Sequence, residues 1–183
     1  MPRIRPVDHE AATPAQRVAY DDVVRGHGRI TNMKRTLLHS LPAFHALMEW
    51  YPLHDTVEPF LGERLTTIFA HAISADSDCL ICSTFFRRIL ADAGEDPDTF
   101  ALDAREQLVV DFGRCLAAPA ARVPAELYAR LSAEFTDEQI VALTAFGAMM
   151  LATNVFNNAL EVDLDEYLEP YRKDAAAPVE GSA

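Results

Sequence analysis

Gly62-Glu63-Arg64-Leu65-Thr66-Thr67-Ile68-Phe69-Ala70-His71-Ala72-Ile73-Ser74 is followed, after Ala75, by Asp76-Ser77-Asp78-Cys79-Leu80-Ile81-Cys82. Leu65, Ile68, Phe69, Ala72 and Ile73 recur at three and four residues, the period of a helix with one buried face. Asp76, Ser77 and Asp78 are residues that cap helix N-termini, and the apolar pattern resumes after them toward Gly94. The reading is a helix over Glu63–Ser74, a short connection, and a second helix from Cys79 to Ala93.

The same punctuation repeats on both sides. Thr13-Pro14-Ala15-Gln16 is a capping box with a Pro in the first turn, opening a helix that ends near Gly26-His27-Gly28. Pro42 starts another that runs to Trp50 and is interrupted at Pro52. Asp103-Ala104-Arg105-Glu106 opens one to Ala118. Pro124 begins a short helix, Thr136-Asp137-Glu138-Gln139 a long apolar one, and Asp163 a last short one before Pro170. No segment alternates with period two between turn signals. The fold class is therefore all-α, a single domain over residues 1–172. The stretch 173–183, poor in large apolar residues, is expected to be a disordered tail.

Composition narrows the function. The chain has 183 residues, half of them hydrophobic, which supplies one ordinary core. Sixteen Lys and Arg against 28 Asp and Glu leave a net charge of −12. That balance speaks against nucleic-acid binding and against docking on anionic lipid. Three Cys are too few for a disulfide scaffold. Ile140 to Leu160 carries no charge, but its second half holds Thr153, Asn154, Asn157 and Asn158, so it reads as a buried central helix rather than a membrane span. No signal peptide is visible at the N-terminus, and a cytoplasmic location is the expectation.

The sharpest chemical signal is Cys79-Leu80-Ile81-Cys82. Two sulfurs three residues apart on a helix share a face. In the first turn, free backbone N–H groups and the helix dipole favour the thiolate. A thiolate with a partner one turn away suits dithiol redox chemistry. Two small core residues, or half of a metal site, remain open readings. No second CxxC or HxxxH pair completes four zinc ligands. No cofactor-binding pattern occurs either.

Glu63, Thr67 and His71 fall at i, i+4 and i+8 and form one polar stripe on the preceding helix. His71 is the natural base by its ordinary titration range, with Glu63 beside it. The alternative is the wet face of an amphipathic helix. Phe44, Trp50, Tyr51, Phe60, Phe85 and Phe86 suit a core or an apolar pocket. Arg64, Arg87 and Arg88 offer a cationic pocket for a small organic acid, or a solvated surface.

The CxxC segment together with Thr136-Asp137-Glu138-Gln139-Ile140-Val141-Ala142-Leu143 running to Val155-Phe156-Asn157-Asn158-Ala159-Leu160 resembles the carboxymuconolactone decarboxylase family, whose redox branch is alkylhydroperoxidase D. Asn32-Met33 and Leu38-His39-Ser40 extend the likeness to about residues 30–170. The resemblance implies an all-helical fold around a CxxC-bearing helical hairpin, and assembly into trimers or hexamers. It implies reduction of a hydroperoxide or related organic substrate, with Cys82 attacking and Cys79 resolving. It implies a dithiol or lipoyl-bearing protein as electron donor. Where the redox branch carries a Glu and two His as proton relay, this chain has Thr67, Phe86 and Ile81. These cannot shuttle protons. Glu63 and His71 are left as replacements. The alternative is a non-redox or non-catalytic relative that keeps the fold without the relay.

Overall fold

A computed structural model of the chain describes residues 1–99 and 101–173. The tail expected beyond Lys173 lies outside the described residues. Among these there is no strand, and nine α-helices follow one another: α1 (Pro14–His27), α2 (Asn32–Leu37), α3 (Leu41–Met48), α4 (Trp50–Leu61), α5 (Glu63–Asp76), α6 (Leu80–Asp92), α7 (Ala104–Ala117), α8 (Ala125–Glu134) and α9 (Asp137–Leu160). A 3₁₀ segment at Glu166–Tyr171 follows them.

The capping signals position most of these helices. Thr13, Asp103 and Thr136 each accept from the amide three residues on and form complete capping boxes with Gln16, Glu106 and Gln139. Free amides at a helix start need such partners, and each cap is worth about 1 kcal/mol. Gly28 closes α1 at φ 74°, a left-handed conformation that costs glycine little.

Four local expectations are corrected. Pro52 interrupts nothing: it lies in the first turn of α4, where its missing N–H leaves no bond unmade, and the break falls at Glu49 instead. The short helix α2, capped by the Thr31 hydroxyl, has no counterpart in the sequence reading. None of Asp76, Ser77 and Asp78 caps α6; Ser77 Oγ turns back to Ile73 O at 2.7 Å, Asp78 takes φ 50°, and Cys79 itself occupies the N-cap. The last short helix is 3₁₀ and runs through Pro170.

The core gathers on α5, which packs on α6, α7, α9 and α4. Phe69 and Ile73 are fully buried there, each such side chain contributing on the order of 2 kcal/mol. Two glycines let neighbours close on them. A Cβ at Gly113 of α7 would lie 3.0 Å from the Phe69 ring, and one at Gly147 of α9 would lie 2.5 Å from Leu116 Cδ1. α9 is long and apolar enough to cross a membrane by length and composition. It instead presents Leu143, Phe146, Met150 and Asn154 to the bundle, all essentially without solvent contact.

The segment before α1 is extended and well tied. Arg3 donates through its backbone N–H to Leu160 O (3.0 Å) and through Nη1 to Ala159 O (3.1 Å) at the end of α9. Val7 N–H donates to Arg35 O (3.1 Å), and Arg35 Nε returns a bond to Val7 O (3.0 Å) on α2.

Candidate functional site

Cys79 and Cys82 lie 3.4 Å apart and are not joined by a disulfide. Placing Cys79 at the N-cap of α6 puts Cys82 in its first turn, so both sulfurs sit over the helix start. Asn157, from the last turns of α9, crosses above them. Its Nδ2 donates to Cys82 Sγ at 3.3 Å and approaches Cys79 Sγ at 4.0 Å and Met33 Sδ at 3.4 Å. Its Oδ1 is buried with no partner among the described residues.

The two thiols are driven apart in acidity. Cys79 is held below the ordinary thiol range, first by the hydrogen bond from Cys82, then against the cost of its own burial by the backbone amides of Cys82 and Ile81 and by Asn157. Cys82 is pushed well above that range by the hydrogen bond it donates to Cys79, by burial, and by repulsion from charge on Cys79. When the pair loses one proton, the charge therefore settles on Cys79 and the remaining proton on Cys82. Both cysteines are buried, at 1% and 8% relative exposure, yet Cys82 reaches the wall of a cavity and Cys79 does not.

That cavity, of about 150 Å³, opens between α2, α3, α4, α6, α9 and the 3₁₀ segment. Met33, Met150, Trp50, Phe85 and Phe86 give it an apolar wall around Cys82. Its polar end comes from elements far apart in sequence. Lys34 on α2 is buried, and Nζ donates to Tyr51 Oη at 2.6 Å. Burial lowers the Lys34 ammonium to about 8, against the pull of Asp165, and burial raises the Tyr51 phenol to about 12 with Tyr167 adding to it. Asp165 accepts from Asn32 N–H at 2.9 Å through Oδ1, while Oδ2 is buried without a partner among the described residues. Burial raises its carboxyl above the ordinary range.

A second, smaller cavity of about 30 Å³ shares Phe86 and Trp50 with the first and is otherwise lined by His54, Thr66, Thr67, Ile89 and Phe146. Thr67 is buried there, so the stripe it shares with Glu63 and His71 is not a uniformly wet face. Glu63 is exposed. His71 is partly buried beside Arg87, Asp98 and Lys173, and burial together with Arg87 lowers its imidazole to about 4. Neither Glu63 nor His71 lines either cavity. The structure thus brings Cys79 and Cys82 together and leaves the α5 stripe off the cavity wall that carries Cys82.

Of the six aromatics suggested for a pocket, Trp50, Tyr51, Phe85 and Phe86 line the larger cavity; Phe44 and Phe60 pack in the hydrophobic core. The arginines suggested as a cationic pocket are committed elsewhere. Arg64 bridges Glu95 and Glu106, Arg87 pairs with Asp98, and Arg88 pairs with Asp92. The cation on the cavity wall is Lys34, which sequence reasoning missed. In Asn32-Met33-Lys34-Arg35 it reads as surface charge; its one local signal is position at the third residue of a capped helix with Met33 beside it. Asn157 was visible only within the Phe156-Asn157-Asn158 pattern, without a role.

No protein-family model matches the chain, and no curated protein does. Solved structures do. An uncharacterised peroxidase-related protein from Ralstonia eutropha JMP134, described as an alkylhydroperoxidase AhpD core, superposes with TM-score 0.74 at 20% identity, over 91% of this chain and 94% of that one. The debrominase Bmp8 gives TM-score 0.74 at 15% identity, over 90% of this chain and 93% of its own, and a cysteine-to-alanine variant of it has been solved with 2,3,4-tribromopyrrole. A peroxidase-related protein from Silicibacter sp. TM1040 gives 0.67 at 16% identity, over 94% and 96% of the two chains. At such identities the likeness is one of architecture: the chain has the all-helical alkylhydroperoxidase AhpD-like fold.

Proposed function

We propose that the protein is a dithiol oxidoreductase that reduces a small hydroperoxide or related electrophile held in the larger cavity. The observation that carries this reading is the pair of free sulfurs 3.4 Å apart at a helix start, with Cys82 on the cavity wall.

The pair supplies its own proton traffic. A substrate meets Cys82, whose proton passes along the existing hydrogen bond to Cys79. Cys82 sulfur attacks the distal peroxide oxygen; the O–O bond breaks, and the leaving alkoxide takes the proton now on Cys79. Cys82 becomes a sulfenic acid and Cys79 a thiolate. Cys79 then attacks Cys82 sulfur, an S–S bond forms, and hydroxide leaves to be protonated by solvent. Two thiols lose two electrons and the peroxide becomes an alcohol and water. An external dithiol or lipoyl-bearing protein returns the electrons by thiol–disulfide exchange. Asn157 Nδ2, 3.3 Å from Cys82 Sγ, stabilises sulfur charge as it moves between the two atoms. This scheme needs neither the Glu nor the His that Thr67, Phe86 and Ile81 replace.

Cumene hydroperoxide turnover with dithiothreitol as donor tests it. Cys82→Ser is expected to cut the rate at least about a thousandfold, as loss of an acting nucleophile does. Turnover retained by Cys82→Ser sinks the proposal. Glu63→Gln and His71→Ala separate the thiol pair from a relay through α5. An unchanged pH–rate profile in both variants favours the pair; a shifted one returns Glu63 or His71 to the mechanism.

A second reading has one observation in its favour. A ring-sized apolar cavity beside Cys82 also suits reductive removal of halogen from an aromatic ring, and Bmp8 is named a debrominase. There the same two thiols supply two electrons, the carbon–halogen bond gives C–H and halide, and the disulfide forms. Halide release from a brominated pyrrole under dithiothreitol distinguishes it from peroxide reduction.

A further inference from the structure

The cavity that holds Cys82 is apolar over most of its wall and polar at one end, and that end is unusual for a protein of net charge −12. Lys34 is buried and uses one of its three N–H donors on Tyr51 Oη. An ammonium can give three hydrogen bonds, and Tyr51 Oη, having accepted one, keeps its own O–H to donate. Asp165 adds an unpartnered buried oxygen at the same end. Arg29 lies over the Tyr167 ring at 4.3 Å and Arg88 at 5.8 Å, and both Arg29 and Arg35 act on Asp165. One carboxylate, Asp165, thus meets Lys34, Arg29 and Arg35, so the local field favours a negative charge. A buried donor without an acceptor is costly, and a ligand oxygen relieves it.

The size of the cavity completes the specification. A cavity near 150 Å³ with an apolar lining is the size that accepts one benzene ring. Met sulfurs and aromatic edges make favourable contacts with such a ring. We propose that this chain binds a single-ring aromatic acid, with the ring between Met33, Met150, Phe85 and Trp50. Its carboxylate or phenolate oxygen lies on Lys34 Nζ and Tyr51 Oη. The inference rests on the dithiol reading only in its consequence: a reducible substituent on the ring is then turned toward Cys82. Binding itself needs no thiol.

Trp50 is the chain's single Trp and lines the cavity, so its fluorescence reports occupancy directly. Benzoate is the probe and benzyl alcohol its neutral counterpart, each titrated into the reduced protein. Saturable benzoate binding is expected, at least about tenfold tighter than benzyl alcohol. Lys34→Met should weaken benzoate about tenfold or more and benzyl alcohol less than about twofold; Tyr51→Phe should weaken benzoate about threefold. Cys82→Ser should bind benzoate within about twofold of wild type. That variant separates the two proposals, since it abolishes turnover in one and spares binding in the other.

A pH series on Cys82→Ser adds a measurement that needs no change at the polar end. Lys34, lowered to about 8 by burial, loses its charge over this series; burial holds Tyr51 and Tyr167 above the ordinary phenol range and Asp165 above the ordinary carboxylate range, and Arg29, Arg35 and Arg88 are the other basic side chains at this end. His27, next to Lys34, is already neutral at pH 7, its imidazole lowered by burial. Benzoate affinity should therefore fall as pH rises from 7 to 9. Unsaturable benzoate binding, equal losses for both probes in Lys34→Met, or a flat pH series overturns the proposal. Should Lys34→Met fail to fold, Tyr51→Phe and the pH series decide.

Discussion

Two regions meet at Phe86 and Trp50 and differ in nearly everything except those shared rings. On one side stand Cys82, Asn157 and, farther along the wall, the Lys34–Tyr51 pair, in a cavity of about 150 Å³. On the other, Thr66 and Thr67 of α5 face a space of about 30 Å³ with His54. The first region carries groups whose proton affinities have been pushed in opposite directions: Cys79 down and Cys82 up, Lys34 down and Tyr51 up. The second carries two neutral hydroxyls and an aromatic wall. Opposed shifts in one small volume are what the proposed proton transfer between the thiols draws on. The polar stripe of α5 has one strongly shifted member, His71, whose nearest charges belong to Arg87, Asp98 and Lys173 rather than to sulfur.

The largest expected effect that sharpens this contrast is on stability. His71 is favoured as the neutral imidazole in the folded chain, at about 4 against 6.5 unfolded. Its contribution is complete above pH 6.5 and is lost as pH falls toward 4, amounting to about 3 kcal/mol. Urea unfolding at pH 7 and pH 4 should show that loss, and His71→Phe should reduce it. An equal loss in the variant assigns the acid sensitivity elsewhere. Next comes Asn157→Leu, which removes the donor above both sulfurs. A hydrogen bond to a charged group is worth roughly 1.5–3 kcal/mol, so turnover should fall about tenfold or more. A rate within twofold of wild type would deny Asn157 a part. The smallest effect is a gain. Phe86→His puts an imidazole on the wall between the regions, and alkylation of the native thiols by iodoacetamide at pH 7 should quicken about threefold. No change would mean that the α5 side is insulated from the sulfurs even when a base is supplied.

The fold was legible wherever a helix announces its own start. Thr13, Asp103 and Thr136 carry their caps in four consecutive residues, and local chemistry suffices to place them. Pro52 misled because proline reads equally as a helix breaker and as a first-turn residue, and only the preceding chain decides which. Cys79 and Cys82 were visible because their spacing is itself the geometry. Lys34, Tyr51, Asp165 and Asn157 come from α2, α4, the loop after α9, and α9, so no spacing links them. Lys34 in particular is buried by α4 and the 3₁₀ segment, a tertiary fact that a polar tetrapeptide cannot carry.

The extended segment before α1 has an effect out of proportion to its length. Arg3 grips the end of α9 just beyond Asn157, and Val7 grips α2 just beyond Lys34. One ribbon of chain therefore braces the two helices that bear the amide over the sulfurs and the ammonium at the far pole. A ligand that fills the space between those helices is expected to tighten the ribbon in turn, since such linkage is reciprocal. Slower deuterium uptake at the Arg3 and Val7 amides becomes a distant gauge of occupancy, readable without touching a single residue of the site.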